Sequence, residues 1–66
     1  MHTLELITPT KQSSEPVALE AGIELFIAYA EINGLKCDTE QQIREWVARD
    51  GIYSVSNEHT SITLKS

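Results

Sequence analysis

The sequence predicts an α+β fold, a small antiparallel sheet with helices packed on one face, in the order β-α-α-β-β. Three observations carry that expectation. The chain ends in "GIYSVSNEHTSITLKS", two short runs of alternating apolar and polar residues around a polar knot, which reads as a β-hairpin. Two middle segments repeat apolar residues at intervals of three and four, the period of a helix with one buried face. Near the start, "TLELIT" alternates as a strand does.

That first strand, Thr3 to Thr8, sets Leu4 and Leu6 on one face and Glu5 on the other, with Ile7 falling on the Glu5 side. "PTKQSSEP" follows, and residues 9–15 read as a loop because prolines, serines and charges break regular structure. The first helix is expected to start near Ser13 or Ser14 as cap, with Pro16 in its first turn, where a missing N–H costs nothing. "VALEAGIELFIAYAEIN" continues it, and Gly34 is placed to stop it in a left-handed conformation. Gly22 inside the helix costs about 1 kcal/mol against alanine and marks either a close contact or a chance placement.

Asp38 or Thr39 can cap a second helix, with Gln41 or Gln42 three positions on as in a capping box. Gly51 ends it, Ile43, Trp46 and Val47 form its apolar face, and Glu40–Arg44 and Glu45–Arg49 are possible i, i+4 ion pairs. In the C-terminal hairpin, residues 52–65, pairing Ser56 with Ser61 sets Val55 opposite Ile62 and Tyr53 opposite Leu64 on one face. Ser54 with Thr63 and Ile52 with Lys65 take the other face. A two-residue turn would force Glu58 and His59 to positive φ, so a four-residue loop, Asn57 to Thr60, is expected.

Sixty-six residues make one domain, 1–66, with a core that rarely supplies more than about 3–5 kcal/mol of net stability. Cys37 is alone and forms no intrachain bridge, which suits a reducing cytoplasm. The start, "MHTLELITPT", lacks the basic and apolar regions of an export signal, and "AGIELFIAYA" is too short to span a bilayer. Ten acids against five basic residues give a net charge of −5, so the field of the protein repels a polyanion and attracts a basic surface.

Motifs for catalysis are absent. His2 and His59 lie far apart in sequence, no His, Cys and acid cluster has metal-ligand spacing, and no glycine-rich phosphate loop or nucleophile motif appears. The expectation is a non-enzymatic protein with no cofactor or metal. Two helices followed by a hairpin outline a winged helix-turn-helix, which makes a nucleic-acid-binding regulator the alternative reading. Against it, Arg44 and Arg49 fall about 140° apart at 100° per residue, and the hairpin tip "NEHT" brings no Lys or Arg.

The first helix is the informative element. Glu20, Glu24 and Glu31 fall within about 40° of one another and form an acidic stripe, a candidate protein-binding site that is also what a solvated face looks like. Leu19, Ile23, Phe26 and Ala30 form a large-residue seam suited to the sheet. Ala18, Ala21, Leu25, Ala28 and Ile32 form a second, alanine-rich seam that the second helix or a partner helix would cover. A homodimer through this seam is the simplest partner arrangement. The sequence thus points to a small acidic regulator or inhibitor, of the kind carried by phages and mobile elements. It would bind another protein with a basic surface, act in the cytoplasm and not bind membranes.

Overall fold

The computed structural model describes all residues from Met1 to Ser66. Six elements succeed one another: β1 (His2–Ile7), β2 (Gln12–Val17), α1 (Leu19–Ile32), α2 (Glu40–Asp50), β3 (Ile52–Ser56) and β4 (Ser61–Lys65). The α+β class holds, and so does the expected succession of strand, two helices and two strands. One further strand, β2, stands between the first strand and the first helix. The sheet is antiparallel throughout, ordered β2-β1-β4-β3, with α1 across β1 and β4 and α2 against β3.

β2 is the main correction to the sequence reading. The expected loop is a turn only at its start, where Thr8 and Lys11 exchange backbone hydrogen bonds across Pro9 and Thr10. From Gln12 the chain pairs with β1, setting Leu6 beside Ser13, Leu4 beside Glu15 and His2 beside Val17. Ser13 and Ser14 therefore cap nothing, Pro16 is a strand residue, and α1 begins at Leu19 behind Ala18, which makes no side-chain cap bond. Six paired residues outweigh a serine cap and a tolerated proline, because the ladder satisfies backbone groups that a short cap cannot reach.

The C-terminal hairpin has the expected register at every pair, from Ile52 with Lys65 to Ser56 with Ser61. Ile62 and Leu64 are fully buried on the helix side, with Tyr53 and Val55 half-buried beside them. Its loop avoids positive φ. The Asn57 side-chain oxygen accepts from the His59 and Thr60 N–H groups, both at 2.8 Å, and the Asn57 N–H donates to the Thr60 carbonyl. An Asx turn of this kind closes the hairpin without glycine.

α1 ends in a Schellman motif. Gly34 takes φ 71°, its N–H donates to the Glu31 carbonyl, and the Leu35 N–H donates to the Ala30 carbonyl. α2 opens on a complete capping box between Thr39 and Gln42 and closes on Gly51 at φ 76°. The core joins Leu4 and Leu6 of β1, Ile23, Phe26 and Ala30 of α1, Ile43 and Val47 of α2, and Ile62 and Leu64 of β4. Gly22 lies where α1 meets the sheet: a Cβ there would come within 2.7 Å of Val17 and 3.0 Å of Leu64. The close contact expected at this glycine is present.

Candidate functional site

Core packing fixes the orientation of α1. Ile23, Phe26 and Ala30 are buried against the sheet, and Leu19 is half-buried beside them. The alanine-rich seam, on the opposite side, spans roughly 80° of arc at 100° per residue. Ala18, Ala21 and Ala28 are exposed, Ile32 is 79% exposed, and only Leu25 is half-buried. α2 does not cover this seam. It lies on the neighbouring flank, where Glu20 faces it, and β2 brings Val17 against α1 at Gly22.

The acidic stripe divides into two parts. Glu20 is held by Arg44 of α2 in a two-pronged ion pair, Nη2 to Oε1 at 2.6 Å and Nε to Oε2 at 2.8 Å. The guanidinium's hydrogen bonds keep the Glu20 carboxyl below its ordinary range, and the carboxylate in turn raises Arg44. Glu20 thus ties the two helices together. Glu24 and Glu31 are exposed, form no ion pair, and border the apolar seam.

Neither helical ion pair expected within α2 forms. Arg44 turns to Glu20, because a fork-shaped guanidinium gains more from a two-pronged carboxylate on a facing helix than from one a turn away. Arg49 lies 3.5 Å from Asp50 and stacks over Trp46 at 4.4 Å, while Glu45 accepts from the Gln41 amide. Trp46 is 40% exposed, on the flank of α2 turned away from α1. A surface depression of about 300 Å³ lies among Gln42, Glu45, Trp46 and Arg49.

Both arginines of α2 are therefore engaged within the molecule. In the C-terminal hairpin β4 lies inside the sheet between β1 and β3, and its loop, Asn57 to Thr60, carries no Lys or Arg. No group of three or more His, Cys, Asp or Glu side chains converges, and no helix is long and apolar enough to cross a membrane. Cys37 is a half-buried free thiol, pushed up by burial and then by neighbouring Asp38. Tyr53, also raised chiefly by burial, packs its ring against Phe26 at a tilt of 54°, centroids 5.2 Å apart, and accepts the Asp38 N–H at 2.9 Å, which anchors the connection between the helices.

No family model, curated protein or solved structure matched the chain.

Proposed function

We propose that the protein is a small, non-enzymatic, acidic binding protein that acts on another protein through the outer face of α1. One observation carries this reading: the fold leaves Ala18, Ala21, Ala28 and Ile32 of the seam exposed around a half-buried Leu25 and borders them with the unpaired carboxylates of Glu24 and Glu31. Small residues let a second helix approach closely, and the carboxylates select lysine and arginine along its border. A regulator or inhibitor, such as phages and mobile elements carry, would work in this way by occupying a basic surface. A free Cys37 thiol suits the reducing cytoplasm.

The test is affinity capture from host extract with three folded forms: the natural chain, Ala28→Glu, and Glu24→Gln with Glu31→Gln. A protein retained by the natural chain and lost from both variants supports the reading. Equal retention by all three forms places the contact elsewhere on the molecule. Salt-sensitive binding of duplex DNA by the natural chain would favour the nucleic-acid alternative.

A further inference from the structure

The two edges of the sheet differ in a way that bears on self-association. Along β2, the hydrogen-bonded pair of Thr8 and Lys11 fixes which groups face β1, since such pairs alternate along an antiparallel ladder. Gln12, Ser14 and Pro16 therefore turn their backbone outward, and Pro16 has no N–H to offer. Glu15 adds an exposed charge on the helix side of the same strand, opposite buried Leu4. A proline and an inward-pointing charge are two devices that stop a sheet edge from pairing with another chain.

β3 carries neither device. The bonds from Asn57 N–H to the Thr60 carbonyl and from Ser66 N–H to the Gly51 carbonyl set the alternation in this hairpin. Tyr53 and Val55 consequently face β4, and Ile52, Ser54 and Ser56 turn their N–H and C=O groups to the open edge. The strand, Ile-Tyr-Ser-Val-Ser, holds no proline, glycine or charge. Ile52, at one end of the strand, is 47% exposed on the outer face, and α2, which packs against β3, carries the 40% exposed Trp46.

We infer that the β3 edge is a self-association surface, joining two copies of this chain into one continuous sheet about a two-fold axis at Ser54. Antiparallel pairing would set Ser54 against Ser54 of the second copy and Ile52 against Ser56, for about six new backbone hydrogen bonds. Charge selects a second copy as the occupant. The protein carries −5 overall, but β3 is uncharged and the adjoining flank of α2 sets Arg49 against Asp50 and near Glu45, so little of the net charge sits along this edge. The α1 seam is the poorer surface for self-association, because a two-fold antiparallel helix pair brings each border against its own copy, here Glu24 and Glu31 against the same carboxylates. This assigns the homodimer to β3 and leaves α1 open to a basic partner, and it holds whether or not the reading of α1 does.

The experiment is sedimentation of the full chain from low to high micromolar concentration, alongside Ser54→Lys and Ala28→Glu. The natural chain and Ala28→Glu should reach the dimer mass. Ser54→Lys sets two ammonium groups opposite each other on an exposed face and should raise the dimer Kd by about tenfold or more. Amide exchange on the natural chain gives a second readout that requires no variant. The Ile52, Ser54 and Ser56 amides should slow with concentration, while those of Gln12 and Ser14 on β2 stay fast. A monomer mass at high micromolar concentration overturns the inference, as does a dimer that survives Ser54→Lys and dissociates with Ala28→Glu.

Discussion

Gly22 and Tyr53 show how much single side chains decide in a protein with nine buried apolar residues. At Gly22, alanine would gain about 1 kcal/mol of helix propensity but drive its methyl into Val17, and overpacking costs about 1–3 kcal/mol. Gly22→Ala should therefore lower stability by about 1 kcal/mol in urea unfolding, and a gain would mean that the end of β2 yields freely. Burial raises both the Tyr53 phenol and the Cys37 thiol. For a group that is neutral when protonated, a raised folded value favours the folded state at neutral pH. That advantage is lost once the unfolded chain ionises first. Stability should fall as pH rises through the ordinary thiol and phenol ranges, and Tyr53→Phe should flatten the upper part of that fall.

Between elements, the Glu20–Arg44 pair is the one ion pair that joins the two helices. The depressed Glu20 carboxyl sets the sign of its pH dependence: its contribution is present above the ordinary carboxylate range and lost as pH falls through the folded value. Glu20→Gln should thus weaken the protein at neutral pH, with the difference from the natural chain vanishing in acid. A difference that persists unchanged into acid would mean that the pair contributes nothing through charge. Burial ranks the two isoleucines of the hairpin. Ile62→Ala empties a fully buried position of β4 and should cost about 2–5 kcal/mol. Ile52→Ala, on the open face of β3, should cost less than about 1 kcal/mol in dilute solution.

The molecule as a whole presents two surfaces of different character. The outer side of α1 is apolar and bordered by unpaired acids, whereas the β3 edge is uncharged and backbone-rich. Glu24→Gln with Glu31→Gln should leave the fold and the oligomeric state unchanged, because exposed charges carry little stability. Association with a basic partner should slow, most of all at low salt. Thermal unfolding, light scattering and association rates measured across a salt series separate these outcomes. A salt-independent association rate would leave the carboxylates as solvated bystanders.

The hairpin register, the sheet-facing seam of α1, the capping box of α2 and the stop at Gly34 were all legible in the amino-acid sequence. Each rests on residues within one element or one hairpin, where side-chain period and backbone sterics act directly. β2 was not legible: Ser-Ser-Glu-Pro-Val satisfies the local chemistry of a helix start, and only the hairpin with β1 makes a strand of it. The charge partners were hidden for the same reason. Arg44 had acids within reach on its own helix and took Glu20, 24 positions away, which the packing of α1 against α2 brought to 2.6 Å. The seam on α1 was visible as a pattern, but whether anything in the chain covers it depended on where α2 packs. Periodicity places a residue on a face of its own element, and only packing between elements settles whether that face is covered.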